Sequence, residues 1–323
     1  MIRKIKQILS HLYHACRIYS SDAKHYIAHS LISGYDKSEY SFLRMITLRA
    51  HVVEKGLTMP HMRANFGEEN ILALITLCKQ YIEAKHDTGQ TLFVEALSVL
   101  SEYKRVHESM GKSIHPLITS GLKEIMEHCP AIPQHNQPEV QSSELFKHGD
   151  FAYIAHHRHS VRNFDGHIQY ENIIKSIDLA RTAPSACNRQ PVRVHIVPHG
   201  ALFDRLLNLQ HGNRGFGSDA EYLLVLTVSE EGYSGFNERN ATYVDGGIFL
   251  MNLLYALQYH SIASCTLNCS FLPDEEKQVR EALQTEDVAV AIIAIGSCPE
   301  TFKVARSERI PVSEIIVKHG EQS

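Results

Sequence analysis

The sequence contains no tryptophan, and most of the short patterns that announce a chemistry are missing from it. There is no HExxH and no histidine pair joined to a carboxylate. The 21 histidines, many for 323 residues, therefore predict no metal site. No GxGxxG occurs, which removes the usual sign of a Rossmann dinucleotide fold. The seven cysteines are odd in number and form no CxxC, so they read as reduced thiols of a cytoplasmic protein. The first residues lack the continuous apolar segment and small-residue cleavage site of a secretory leader. No apolar run is long enough to span a bilayer. No Ser/His/Asp pattern or paired-carboxylate site stands out. Charge is close to balanced, with a net of −4, and gives no reason to expect nucleic acid as a partner. The absence of tryptophan has no functional meaning that we can assign.

What is present is enough for a large core: 44% of residues are hydrophobic and 21% charged. Residues 1–18 have helical periodicity, with Ile2, Ile5, Ile8, Leu9 and Leu12 on one face and Arg3, Lys4 and Lys6 off it. A modest apolar face and a short basic run favour a terminal helix docked on its own protein over one touching anionic lipid. Further helices are expected at about 22–32, 37–54, 70–83, 91–107 and 114–127, punctuated by Gly34, Gly89, Gly111 and Pro130. Pro130, Pro133 and Pro138 then mark a linker. Residues 1–140 are thus expected to be an all-helical region, and 141–323 a second domain.

Within the helical region, the stretch from His51 to Gly67 is dense in ionisable groups. Gly56 reads as a helix C-terminus, because glycine tolerates positive φ. His51 and Lys55 lie one helical turn apart, and Arg63 follows on a loop. These three are candidate substrate contacts; the bland alternative is a helix cap with Glu54 paired to Arg63 or Lys55.

In the second domain, helices are expected at about 142–156, 170–182, 201–209, 237–260 and 273–283. Strands are expected at about 193–197, 221–228, 262–267 and 288–295, with a further strand or tail at 313–318. The centre of the 237–260 helix is apolar nearly all round, which predicts burial at a subunit interface. Helices and strands mix without regular βαβ units, so the class is α+β.

Two clusters carry the chemistry. Arg158-His159-Ser160-Val161-Arg162 sets two guanidiniums and a hydroxyl at alternating positions, which suits an anion with several oxygens. After a helix-length segment comes Ala183-Pro184-Ser185-Ala186-Cys187-Asn188-Arg189-Gln190-Pro191, followed at once by an apolar strand. In this order and spacing the two resemble the flavin-binding signature of the nitroreductase family, over roughly residues 150–318. The resemblance implies a sandwich fold, with a mainly antiparallel sheet flanked by helices. It also implies FMN as cofactor, NAD(P)H as electron donor and a homodimer with FMN at the subunit interface.

Carried over residue by residue, the resemblance implies that Arg158 and Ser160 bind the FMN phosphate with His159 lining the same site. Arg162 then lies near the flavin N1/O2 pole, where a cation stabilises the charge of the reduced ring. Arg309, in Ser307-Glu308-Arg309-Ile310-Pro311, matches an arginine that returns to the phosphate, with Arg306 as a neighbour. Pro184, Ser185, Ala186 and Asn188 match the turn that reaches the flavin of the other subunit. Asn213, beside Arg214, falls where an asparagine bonds the ring edge. Thr266, Leu267 and Asn268 fall where main-chain groups face N5 and O4. Cys187 reads as a small buried filler, and the pair Cys265/Cys269 as no metal site. Asn268-Cys269 stands where several family members have a Glu-Gly pair that seats the nicotinamide. The implied activity is ping-pong hydride transfer from NAD(P)H through FMN to a small organic acceptor. Because of that departure, a flavin-dependent dehydrogenase or oxidase of a biosynthetic intermediate is a second reading. The EKGL…P…R…FG stretch, which resembles members associated with surface-polysaccharide gene sets, points the same way. A non-catalytic flavin-fold scaffold is the reading from another class.

Overall fold

The structure, a computed structural model, describes residues 2–29, 38–129, 132, 134, 137–233 and 235–320. Gly34, Pro130, Pro133, the end of the expected 22–32 helix and much of the expected linker lie outside the described residues, as do the side chains of Ile2, Arg3 and Lys4. The chain forms two compact units. One comprises Met1–Leu57, Met62–Asn136 and Arg306–Ser323; the other comprises Thr58–His61 and Gln137–Ala305. A single cut at 140/141 does not describe this division. The C-terminal stretch belongs with the helices because the Ser307 N–H donates to Glu54 Oε1 at 2.9 Å. Residues 58–61 go with the sheet because Met59 packs into the sheet unit's core.

In the helical unit, α1 spans Ile2–His29, α2 Glu39–Leu57, α3 Glu68–Glu83, α4 Thr91–Ser109 and α5 Pro116–Met126. Helices α2, α3 and α5 bury one stripe each at three-to-four-residue spacing, and α4 is buried nearly all round from Ala96 to Leu100. Phe42, Ile46, Ala50, Val53 and Leu57 of α2 meet Ile71, Leu74 and Tyr81 of α3 and Phe93, Leu97 and Tyr103 of α4 in one core, which Ile118, Leu122 and Ile125 of α5 join. The Tyr81 and Phe93 rings stack at 4.5 Å.

Three expectations change here. Gly56 does not end a helix: α2 runs through it to Leu57, and its φ is not positive. A Cβ at Gly56 would fall 2.0 Å from Cε2 of Phe66, so glycine is there for ring packing. The expected break near residue 20 is absent, because no proline or glycine interrupts residues 2–29. Nor is α1 docked: Ile5, Ile8, Leu9, Leu12, Tyr13, Tyr19, Tyr26 and Ile27 are all exposed.

The sheet unit is α+β. Strands β1 (Glu139–Gln141) and β6 (Thr301–Lys303) form an antiparallel pair. Strands β2 (Val192–Pro198), β3 (Tyr222–Val228), β4 (Ala263–Leu267) and β5 (Val288–Gly296) form a second, wholly antiparallel sheet in the order β2-β3-β5-β4. The central strands read as continuous apolar runs because both faces are covered. Leu223, Val225, Ile292 and Ala294 point to a core shared with Phe203 and Leu206 of α9 (Ala201–Leu209) and Val279 of α11 (Pro273–Leu283). Leu224, Ile293 and Ile295 point to the opposite core, with Ile173 of α8 (Tyr170–Ala180) and Leu253, Leu254 and Leu257 of α10 (Ala241–Tyr259).

The helix expected over 142–156 is broken in two, α6 (Ser142–Leu145) and α7 (Phe151–His157). Asp150 restarts it, its Oδ1 accepting from the Tyr153 N–H at 2.8 Å. The expected strand or tail at 313–318 begins as one helical turn, α12 (Val312–Ile315). Helix α10 is not buried all round. Tyr243, Val244 and Ile248 are exposed on one side, whereas Asp245, Gly246, Leu253 and Leu257 are buried.

Candidate functional site

The basic cluster leaves α7 at Arg158, whose N–H still donates to the Ile154 carbonyl at 3.0 Å. From there the chain is extended. The Val161 N–H donates to the Ser264 carbonyl of β4 at 2.9 Å, and its side chain is buried. This one bond sets the cluster alongside β4, and with it Thr266, Leu267 and Asn268. Arg158, His159, Ser160 and Arg162 are half-buried around the anchored valine. The Arg162 guanidinium reaches the Ser160 carbonyl at 3.4 Å and lies 5.9 Å from the Phe216 ring centroid.

A third segment joins through a residue that the motifs do not mark. Gln210 is buried. Its Nε2 donates to the Asn268 carbonyl at 3.2 Å, and its Oε1 accepts from the Gly212 N–H at 2.7 Å. Asn213 turns its amide inward, Nδ2 donating to the Leu207 carbonyl at 2.7 Å and to the Gln210 carbonyl. Its Nδ2 braces the loop, beside Arg214. A lone glutamine before Gly-Asn has no motif value, so only the fold reveals its part.

The Pro184–Asn188 turn is held differently. Cys187 and Asn188 have positive φ, 51° and 56°, as does Gln190 at 50°. Behind them lies Asp245 of α10, buried, with both carboxylate oxygens 3.1 Å from the Ala186 N–H. The Tyr233 hydroxyl donates to Asp245 Oδ2 at 2.9 Å. Burial first, and then this bond to a carboxylate, push the Tyr233 hydroxyl well above its ordinary pKa. Ser185 Oγ accepts from the Gln190 N–H at 2.9 Å. Arg189 makes a two-pronged pair with Glu238, one prong at 3.1 Å, and its guanidinium lies 5.1 Å from the Tyr233 ring centroid. A cavity of about 230 Å³ opens beside the turn, lined by Pro184, Ser185, Gln190, Arg193, Asp245 and Phe249. Cys187 is exposed, not the buried filler expected, because it stands at a positive-φ position on the outside of this turn. By contrast, burial pushes the Cys269 thiol up to about 12, away from thiolate chemistry. Among the described residues no cluster of His, Cys, Asp and Glu is built to hold a metal ion.

The helical unit has a cavity of its own, about 320 Å³, lined by residues of α2 and α4 and by Ser307, Glu308 and Arg309. Glu54, only 4% exposed, sits in its wall, with Oε2 3.0 Å from His51 Nδ1 and Oε1 accepting the Ser307 N–H. Of the three candidate substrate residues, His51 lines this cavity, while Lys55 and Arg63 do not. Glu54 is paired with His51. Arg309 is exposed and donates to the Ser307 carbonyl, and Arg306 pairs with Glu308 at 2.5 Å.

Comparison with known proteins adds one sequence match: residues 155–214 match the Nitroreductase family model. That segment contains the basic cluster, the Pro184–Asn188 turn and Asn213. No curated protein matches the chain. Solved structures resemble about half of it. A nitroreductase family protein from Streptococcus pneumoniae is 24% identical over 50% of this chain and 96% of its own, with a TM-score of 0.43. A Staphylococcus epidermidis protein named as an NAD(P)H:FMN oxidoreductase is 17% identical over 54% and 97%, with a TM-score of 0.48. A Desulfovibrio desulfuricans protein named as a nitroreductase, in complex with FMN, is 17% identical over 55% and 100%, with a TM-score of 0.44. Residues 155–214, which match the Nitroreductase family model, lie in an α+β unit and are preceded by helices.

Proposed function

We propose, from the nitroreductase-family segment at residues 155–214, that the chain binds FMN and works as an oxidoreductase. It would take electrons from NAD(P)H and pass them, in ping-pong order, to a small organic acceptor. The observation that carries this reading is the Val161–Ser264 backbone bond. It holds the basic cluster alongside β4, the strand that leads on to Thr266, Leu267 and Asn268.

The donor set fits the cofactor. Arg158 and Ser160 offer charge-assisted and hydroxyl bonds to a phosphate, and His159 lies between them. Arg162 offers a fixed cation to the pyrimidine end of the ring. The main chain of Thr266, Leu267 and Asn268, with Gln210 behind it, offers an edge for the ring's polar atoms. FMN, when bound, supplies hydride exchange with the nicotinamide and the acceptor. The protein's part is to place it, charge its surroundings and keep water out. Arg309 is proposed as a further phosphate donor on its motif alone.

The exposed apolar side of α10, Tyr243, Val244 and Ile248, supports a homodimer. Pro184, Ser185, Ala186 and Asn188 are proposed to meet the flavin of the second copy. The second reading, a dehydrogenase or oxidase of a biosynthetic intermediate, is favoured by the cavity that His51 and Glu54 line in the helical unit. It gives that unit a means of recognising a substrate of its own.

The test begins with the purified full chain. It should be yellow and release FMN on denaturation. Colourless protein that takes up no added FMN would reject the reading. Anaerobic NADH and NADPH should then bleach the flavin. Failure of both to bleach a flavin-loaded protein would leave FMN binding standing and transfer the case to the second reading.

A further inference from the structure

The helical unit contains one element that the flavin reading does not use. Helix α1 is 28 residues long, about 42 Å at 1.5 Å per residue. Ile5, Leu9, Leu12, Cys16, Tyr19, Ala23 and Tyr26 recur at alternating steps of four and three, which places them on one stripe. Ile8, Tyr13 and Ile27 widen it. None of the described side chains of α1 is buried. The stripe is thus an apolar face left in solvent, far longer than the single exposed hydrophobics of an ordinary surface.

The rest of the helix is basic. It carries Arg3, Lys4, Lys6, Arg17 and Lys24 against one acid, Asp22. Five against one is a net of +4 in a chain whose total is −4, so the other residues carry −8. The charge is segregated, and its sign is that of a surface built to meet anions. Among the described residues no helix is long and apolar enough to cross a membrane. An apolar stripe of aliphatic and tyrosine side chains under a cationic face is the composition of a helix that lies in the plane of a bilayer. The tyrosines, with apolar rings and polar tips, suit headgroup depth.

We propose that α1 is an interfacial helix that binds an anionic lipid surface. A second copy of α1 is a poorer occupant. In a paired-helix register the flanking positions hold Lys6, Ile8, Tyr13, Ala15, Ser20, Asp22 and Ile27, which provide no set of opposite charges to specify a partner. The seam itself loses its aliphatic character after Leu12. The inference is independent of the flavin site, and its test does not use activity.

Vesicle flotation of the full chain tests it, comparing phosphatidylcholine alone with phosphatidylcholine containing a quarter phosphatidylglycerol. Binding should appear with the anionic vesicles. It should fall at least about tenfold near 1 M salt, where the Debye length is roughly 3 Å. Leu9→Glu with Leu12→Glu should abolish it. Lys6→Glu with Arg17→Glu and Lys24→Glu should abolish it as well, while circular dichroism and thermal unfolding stay unchanged, since these side chains are exposed. No flotation with anionic vesicles would overturn the proposal. So would binding that survives both sets of substitutions, or equal binding to neutral vesicles. Self-association lost with Leu9→Glu and Leu12→Glu, without vesicle binding, would assign the face to a second copy instead.

Discussion

Three of the four residues from Cys187 to Gln190 hold left-handed backbone without being glycine. Such a conformation costs roughly 1–2 kcal/mol for most side chains, less for asparagine. A turn that carries this strain keeps its shape only if its surroundings impose it. Here Asp245 imposes it through the Ala186 N–H, with Tyr233, Ser185 and the Arg189–Glu238 pair around it. Asp245→Ala leaves the Ala186 N–H without its charged acceptor and should cost about 1.5–3 kcal/mol in urea unfolding. Asp245→Asn should cost less, because an amide oxygen still accepts. Tyr233 gives the arrangement a pH dependence. Its hydroxyl is held protonated, so its native pKa lies above the unfolded value of about 10. Its contribution is fully present below that pH and is lost as pH rises through the native value. Tyr233→Phe should therefore be less stable than the parent at neutral pH by about 1 kcal/mol. The gap should close in alkaline urea titrations. A constant gap would show that Tyr233 does not titrate against Asp245.

On the basic cluster, Arg158→Ala should remove about 1.5–3 kcal/mol of FMN binding, roughly ten- to a hundredfold in Kd by fluorescence titration. Unchanged FMN retention in Arg158→Ala would sink the phosphate assignment. The residues proposed to face a charged ligand, Arg158, Ser160 and Arg162, come from the sequence, because their types and spacing suit an anion. The residues that shape the site do not. Gln210 and Asp245 act through long-range bonds to Asn268 and Ala186, and no local pattern marks either one. Asn213 was readable as a position but not as a conformation. Its amide serves its own loop, a choice made among nearby carbonyls that spacing does not resolve.

At the scale of elements, periodicity located α2 to α5 and the strands β2, β3 and β5 to within a few residues. It failed where the deciding force was not periodic. The 142–156 stretch is continuous in pattern, yet Gly149 and the Asp150 cap break it. Ser20-Ser21-Asp22 looks like a helix start, yet α1 runs through it. Gly56 shows how one residue type serves two purposes. Read locally it is a stop; in the packed unit it is the absence of a side chain where Phe66 must lie. Gly56→Ala is therefore expected to destabilise the helical unit by about 1–3 kcal/mol through overpacking, although alanine is the better helix former. A melting curve gives the sign. A stabilised Gly56→Ala would mean that the Phe66 ring moves aside freely.

For the whole molecule, the apolar run of α10 was legible, but not which side of it the chain itself covers. The sheet takes Leu253 and Leu257, and Tyr243, Val244 and Ile248 remain exposed. If that side is where two copies meet, Val244→Glu with Ile248→Glu should sediment as a monomer. It should also bind FMN more weakly by at least about tenfold, since a ligand shared by two subunits is linked to their association. Dimer and FMN affinity both unchanged would move the interface elsewhere.

The bond between the Ser307 N–H and Glu54 spans 253 positions of chain. On the ribosome, α2 to α5 emerge early, yet the Ser307–Arg309 segment that closes the wall around Glu54 arrives only after every residue of the sheet unit has been made. The helical unit is thus begun first and completed last. A nascent chain holds a half-finished cavity, with Glu54 lacking its Ser307 donor, through most of synthesis. The cavity is complete only in a chain whose translation has passed Arg309.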